Sequence, residues 1–344
     1  MVKSVLVTGG LGYVGSRLIP LLLEKDYTVT TLDLGLRGDH CLNNLHSHPD
    51  WKEWEPRFLA IKGDIRDPFI VRQSMEKVDA IIHLAEIRPS KDTSYDEVLD
   101  RQVNFDAVGL ILSEAQDAGI KKFINTSSSR VYGFKNDHEV SEVLEPEPQT
   151  PYARHKMQAE WLTRAAHSRN LCTVNIRAAS VCGPSPLNRL DLPVNKMTSD
   201  AYYRGIIKVH HGEQRHPNVG ITDLIHLYCW LLEGEHSKIN GKTFNFGFEN
   251  HRIIELAQII KTHLNNPDIE IQVVDDSLKQ DNHISSKKII DELNYTPISS
   301  VAKEVTHLKA TFEKSDLSMI DQIEAFSHVS LERRPEMYEG ILRN

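Results

Sequence analysis

The sequence predicts an α/β protein in which a doubly wound parallel sheet is followed by a smaller α/β lobe. Three observations point there. Strand-like apolar runs alternate with helix-length amphipathic runs from Lys3 to about Arg177. A glycine-rich turn joins the first strand to the first helix, and past Gly183 the prolines Pro184, Pro186 and Pro193 break the pattern into shorter pieces.

In chain order the strand runs are SVLVT, YTVTTLD, FLAIKGD, DAIIHLA, KKFINTS and CTVNIRA. Helices are expected between them, the first from Gly12 to Lys25 and a long one from about Asp96 to Ala118. Strands joined by helical crossovers pair in parallel, with helices on both faces. Val14, Leu18, Leu21 and Leu22 give the first helix an apolar face, and Pro20, lacking a backbone donor, predicts a kink. The segment from Lys135 to Gln149 is acidic and holds two prolines, which predicts an exposed connection with solvated charge. Thr150 and Pro151 form an N-cap and first-turn pair. They open a helix with Met157, Trp161 and Ala165 as its apolar stripe, on which Tyr152 and Lys156 lie one turn apart.

Beyond Gly183, shorter helices are expected near Asn195 to Arg204, Asp223 to Leu232 and Arg252 to His263. The boundaries read as 1–178 for a dinucleotide-binding domain and 179–325 for a partly interleaved substrate lobe. The tail, 326–344, has too little periodicity to assign.

Apolar residues at 40% and charged residues at 26% lie in the ordinary globular range. A formal charge of -8 without a long Lys/Arg block argues against nucleic acid or an anionic membrane surface as partner. No apolar stretch approaches the roughly 20 residues that span a bilayer. The N-terminus enters a strand at once without a signal-peptide pattern, so a cytoplasmic location is expected. Cys41, Cys172, Cys182 and Cys229 lack metal-ligand spacing, and neither a metal site nor structural disulfides are expected.

The first strand runs into GGLGYVG. Gly9, Gly12 and Gly15 stand where a tight turn, close approach to a pyrophosphate and close helix packing each require glycine. The unpaired amides of the following helix N-terminus suit an anion without any lysine. The second strand ends in Asp33, whose carboxylate can accept from the adenosine ribose hydroxyls and would repel a 2′-phosphate. That favours NAD, while Arg37 keeps NADP open.

Tyr152 and Lys156 form YxxxK, a weak pattern alone; it gains meaning from TSSSRVYG, Thr126 to Gly133, at the end of a predicted parallel strand. Taken in order, TGGLGYVG, Asp33, GDIRD, HLAEIRP, Asn104, TSSSRVYG, YARHK, RAASVCGP and KKIIDELNYTP make the chain resemble the extended short-chain dehydrogenase/reductase family. The resemblance is to its NAD-dependent nucleotide-sugar epimerase/dehydratase branch and runs from about Val2 to about Pro297.

That resemblance implies a Rossmann-type fold, bound NAD and a homodimer formed through the helices from about Asp96 to Ala118 and Pro151 to His167. It implies that Tyr13 and Val14 line the pyrophosphate turn, that Asp64 and Ile65 cradle the adenine, and that Leu84, Ala85, Asn104 and Ala179 border the cofactor. Ser128 falls at the family's catalytic serine, with Ser127 and Ser129 as strand-end hydrogen bonders. His83 reads as a satisfied structural histidine, and His210 and His211 as loop residues.

The implied chemistry is oxidation at a carbinol carbon. Tyr152 takes the hydroxyl proton as hydride leaves, Lys156 lowers the tyrosine's pKa and grips the nicotinamide ribose, and Ser128 holds the same oxygen. Return of hydride to the other face of the ketone gives net epimerisation. Family 4,6-dehydratases place an Asp-Glu pair right after the serine position, where this chain has Ser129 and Arg130, so elimination is disfavoured. Arg130 is either an ion-pairing surface residue or a cation for an acidic sugar or phosphate. The substrate lobe departs from the family pattern at Ser180, His216 and near Gln280, with Arg189 and Arg215 able to compensate. A 4-epimerase of a nucleotide sugar leads. A reductase or dehydrogenase that exchanges NAD(P) each cycle and a non-catalytic dinucleotide sensor stay open.

Overall fold

A computed structural model describes residues 2–36, 38–88, 96–135, 139–274 and 283–314. Arg37 and the tail from 326 onward therefore lie outside the described residues. Twelve strands are labelled among them: β1 (Ser4–Thr8), β2 (Thr28–Asp33), β3 (Phe58–Lys62), β4 (Ala80–His83), β5 (Lys122–Ser128), β6 (Cys172–Ala178), β7 (Ser180–Cys182), β8 (Ile206–His210), β9 (Arg215–Gly220), β10 (Lys242–Phe246), β11 (Glu249–Arg252) and β12 (Glu270–Val274).

Seven of them form one sheet in the order β10-β6-β5-β4-β1-β2-β3, every pair parallel. The chain runs outward through β2 and β3, then returns to the other side of β1 for β4. A ligand crevice opens at such a reversal, beyond the carboxyl ends of β1 and β4. Both faces are covered, as alternate residues of one strand show: Val5 and Val7 pack into the core that holds Leu18, Leu22 and Tyr228, while Leu6 packs with Phe123, Ile111 and Leu112 on the other face.

The first helix spans Gly15–Glu24 and continues through Pro20. It begins three residues later than the apolar periodicity suggests, because Gly12 to Val14 belong to the turn. The long helix predicted from Asp96 is capped there, with the Asp96 carboxylate accepting from Val98 N at 2.9 Å and Leu99 N at 3.0 Å. It is interrupted by a π turn at Gln102–Asp106 before continuing as Ala107–Asp117. Thr150 caps the helix Pro151–Ala165 by accepting from Ala153 N at 3.2 Å.

Two expectations are corrected. Trp161 is 51% exposed and Ala165 is exposed too, so the stripe Met157, Trp161, Ala165 is not the buried face. That face instead carries Tyr152, His155, Lys156, Met157, Glu160 and Thr163. Polar groups are affordable there because they are paired: His155 Nδ1 meets Asp100 at 2.7 Å, and Glu160 meets Arg177 at 2.7 Å and Ser127. Nor is the segment from Lys135 to Gln149 simply exposed. Val140 is fully buried and bridges to Ile284, and Glu142 accepts from Asn245 N at 2.7 Å.

The second lobe holds β7, β9 and β11 in one small sheet and β8 with β12 in another. Helices Pro193–Arg204, Ile253–Leu264 and Val301–Phe312 share a core of Val194, Met197, Leu256, Ile260 and Val305. The chain then interleaves: β10 joins the edge of the large sheet beside β6, and Leu224, Leu227 and Tyr228 of the helix Ile221–Glu233 enter its core. All four cysteines are buried. Among the described residues no helix is long and apolar enough to cross a membrane, and no group of His, Cys, Asp and Glu is placed to hold a metal.

Candidate active site

Backbone geometry requires the glycines of the first turn. Gly9 has φ +69, and a Cβ there would stand 2.7 Å from the Ala85 backbone; one at Gly15 would stand 2.5 Å from Gly10. The loop is held against the end of β2, since Asp33 accepts from Leu11 N at 3.0 Å and Gly35 N at 2.9 Å. Beside it, Asp64 and Ile65 are buried, with Asp64 ion-paired to Arg66 at 2.5 Å. Tyr13 reaches across to the second lobe, its hydroxyl donating to Gly183 O at 2.7 Å and accepting from Asn195 at 3.1 Å. Val14 serves as the cap residue of the first helix.

The other wall follows β4. His83 is buried and meets Thr8 Oγ1 at 2.7 Å. Burial, with a smaller push from Lys156, lowers its pKa to about 3, so it is neutral and structural. Leu84 and Ala85 lie over Gly9, and Ala85 N donates to Thr8 Oγ1 at 3.4 Å. Asn104, at the π turn, accepts from Ile87 N at 3.1 Å, donates to Ile87 O at 2.8 Å, and also bonds Asp100. Its amide therefore pins the segment after β4. A π turn at such a point is a recurrent feature of functional sites.

That segment delivers two residues that the motif reading left without a role. Glu86 Oε2 accepts from the Tyr152 hydroxyl at 2.9 Å and lies 3.3 Å from Lys156 Nζ. Arg88 pairs with the same carboxylate and lies over the Tyr152 ring, 5.6 Å from its centroid. The surroundings of Tyr152 act on its phenol in both directions. Burial pushes the phenol up, Arg88 pulls it down, and ionised Glu86 pushes it up again, leaving it well above its ordinary value. Lys156 is paired with Glu86. HLAEIRP held the signal: a carboxylate and a guanidinium just past a strand end, where ligands of parallel sheets gather.

Ser128 ends β5 and caps the short turn Ser129–Tyr132, its hydroxyl accepting from Arg130 N at 3.2 Å. Ser127 bonds Glu160 and Ser129 is buried. Arg130, in this turn, is exposed, yet close enough to Tyr152 and Arg88 to feel their charges. Its pKa is lowered by partial burial and then by the charges of Arg88 and Arg189; its own charge is felt by Tyr152 and His216. Among the described residues its guanidinium forms no ion pair. Burial, with the nearby Arg130 charge, lowers His216 to about 4. Arg189 is held by Asp191 at 2.5 Å. Ser180 pairs with Asn218 across β7 and β9, and Arg215 sits at the start of β9 opposite Arg252. Ala179 is buried and donates its N–H to Phe246 O at 2.9 Å.

The structure thus places a glycine turn and a carboxylate at the ends of β1 and β2, with Tyr152 and Lys156 against the segment that follows β4. A profile of the NAD dependent epimerase/dehydratase family matches residues 5–247. The chain belongs to that family. Its residues fit the family's cofactor, NAD, which accepts or returns hydride when bound: Gly9 and Gly15 permit the close-packed turn that opens the first helix, where a pyrophosphate would meet helix amides, and Asp33 and Lys156 would offer partners to its ribose hydroxyls.

Among curated family members, the mouse dTDP-D-glucose 4,6-dehydratase (Mus musculus) is 30% identical over 75% of this chain and 73% of its own. The UDP-glucose 4-epimerase of Mycolicibacterium smegmatis is 33% identical over 52% of this chain and 56% of its own. Among solved structures, the UDP-glucuronic acid 4-epimerase of Bacillus cereus with NAD superposes with a TM-score of 0.75 at 23% identity, covering 90% of this chain and 100% of that one. Both reactions of the family are represented among these similar proteins.

Proposed function

We propose that this family member is a nucleotide-sugar 4-epimerase that oxidises its substrate to a bound ketone and reduces it on the opposite face. The observation that supports this reading most is the pair Ser129 and Arg130, which stands where the family's dehydratases carry two carboxylates. A guanidinium beside Tyr152 can neither remove a proton from carbon at neutral pH nor expel a hydroxyl as a carboxylic acid does.

Tyr152 in this reading faces the reacting hydroxyl, Ser128 fixes the same oxygen, and Lys156 grips the nicotinamide ribose. The test is incubation of the purified protein with UDP-glucose, UDP-glucuronic acid or dTDP-glucose, without added cofactor. The expected product keeps the substrate's mass with the C4 hydroxyl inverted. A product lighter by one water would replace this reading with the 4,6-dehydratase one. The mouse relative favours that alternative, and Glu86 is a carboxylate within the site. Consumption of stoichiometric free NAD(P)H would indicate a reductase.

Arg88 and Arg130 both act on Tyr152, Arg88 already being paired with Glu86, and Arg130 is not paired to a carboxylate of the described residues. A substrate with a carboxylate on its hexose suits this wall. Losing one charge-assisted hydrogen bond there costs about 1.5–3 kcal/mol, or roughly tenfold to 100-fold. Arg130→Ala is therefore expected to raise KM by that factor for UDP-glucuronic acid and much less for UDP-glucose, measured by initial rates. Equal changes for the two would show that Arg130 does not read the carboxylate.

A further inference from the structure

We propose that Tyr13 is a positioning residue whose hydroxyl couples NAD occupancy of the glycine turn to the placement of loop 183–192, which carries Arg189. The inference goes beyond the reading above: it depends on NAD in the turn, not on whether the sugar is inverted or dehydrated. Its basis is a buried clasp between segments 170 residues apart.

Tyr13 faces two ways. Its backbone belongs to the turn before the first helix, where amides that a helix leaves unpaired meet an anion. Its side chain leaves the turn for the second lobe, donating to Gly183 O at 2.7 Å and accepting from Asn195 Nδ2 at 3.1 Å. Asn195 in turn accepts from Gly183 N at 2.9 Å and donates to Arg189 O at 3.1 Å. One asparagine thus joins the phenol to both ends of the stretch from Gly183 to Arg189.

A second link runs beside the first. Ser185 Oγ donates to Tyr13 O at 2.7 Å and lies 2.9 Å from Ser16 Oγ, and Ser185 N donates to Asn188 at 3.0 Å within the loop. Tyr13, Ser16, Ser185 and Asn195 are all buried, so water cannot replace a partner that is lost. Burial pushes the Tyr13 phenol up, which keeps it a neutral donor through the neutral range. Gly183 has φ +124, and a Cβ there would stand 2.7 Å from Ile221. The loop is therefore pinned where it starts, and a shift of the turn is passed on to it.

What the loop carries bears on the reaction centre. Arg189 pairs with Asp191 at 2.5 Å. The Arg189 charge is felt at Arg130 and at Tyr13, and Asp191 feels Arg88. Arg88 and Arg130 are the cations that act on Tyr152. An anion drawn onto the turn amides fixes the Tyr13 backbone and, through the clasp, this charged pair. By linkage, whatever fixes the loop tightens the turn by the same factor.

The test needs neither substrate nor turnover. Hydrogen exchange read by mass spectrometry compares wild type with Tyr13→Phe, each with and without saturating NAD, in peptides covering 9–18 and 183–192. Phenylalanine keeps the ring that packs in the core and removes only the hydroxyl. In wild type, NAD is expected to slow exchange in both segments. In Tyr13→Phe it is expected to protect the turn as before, while its protection of 183–192 falls about three- to tenfold, the worth of one buried bond.

A clasp that is structural only would raise exchange at 183–192 equally with and without NAD, and that result would overturn the coupling. So would a wild-type loop that NAD does not protect. Equal protection of the loop by NAD in both proteins would remove the hydroxyl from the path. Should Tyr13→Phe not hold NAD, Ser185→Ala, which cuts the second link, takes its place with the same expected loss at 183–192. Failure of both variants to hold NAD would assign the clasp to the cofactor site itself and overturn the proposal.

Discussion

Tyr152→Phe is expected to lose roughly 100- to 10,000-fold in turnover while retaining NAD. Phenylalanine keeps the ring that lies under Arg88 and fills the same buried space; only the hydroxyl that donates to Glu86 is removed. Nothing then takes the proton from the reacting oxygen. Glu86, still paired with Arg88 and Lys156, lies one hydroxyl too far away. The measurement is single-turnover reduction of bound cofactor by the active nucleotide sugar, alongside mass spectrometry of dinucleotide released on denaturation. A variant with more than a tenth of wild-type rate would remove Tyr152 from the proton path. A variant empty of NAD would show that the hydroxyl serves binding first.

The second large effect is on stability. Glu160 and Arg177 are paired at 2.7 Å with side chains only 4% and 8% exposed. The same network takes in Ser127 and Tyr132, the Tyr132 hydroxyl donating to Asn245 at 2.8 Å and accepting from Arg177 at 2.7 Å. It binds the helix that carries Tyr152 and Lys156 to β5, β6 and β10. Glu160→Ala would leave a buried guanidinium without its counter-charge, at an expected cost of about 3–5 kcal/mol read from urea unfolding. The double change Glu160→Leu with Arg177→Met removes both charges and is expected to cost less than Glu160→Ala alone. If the double variant is the less stable of the two, the pair contributes net stabilisation and not merely mutual neutralisation. Activity of the double variant further reports whether the network positions the helix or only permits its burial.

Much of the molecule was legible in the linear sequence, and the reason is local. All six strand runs up to Ala178 are strands; the inner ones are short apolar runs because a parallel strand buried on both faces must be, while β3 at the sheet edge is largely exposed. The glycine turn and the Thr150–Pro151 helix start are written in residues whose backbone demands or side-chain acceptors act within a few positions. The one-turn spacing of Tyr152 and Lys156 on their helix was readable from YxxxK.

What the sequence did not show depends on contacts between distant segments. Periodicity placed Trp161 and Ala165 inward because it counts apolar residues. The fold buries His155 and Glu160 instead, since Asp100 and Arg177 arrive from elsewhere in the chain to pair with them. The return of β10 to the edge of the large sheet leaves no local trace. The electrostatics of the reaction centre include Glu86, 66 residues from Tyr152, whose carboxylate adds to the rise in the tyrosine's pKa that burial produces. Residue type and spacing determined which strands, turns and reactive groups this protein has; only the tertiary structure decided which charges face the tyrosine, because Coulomb energy follows distance in space and burial, neither of which is set by neighbours in sequence.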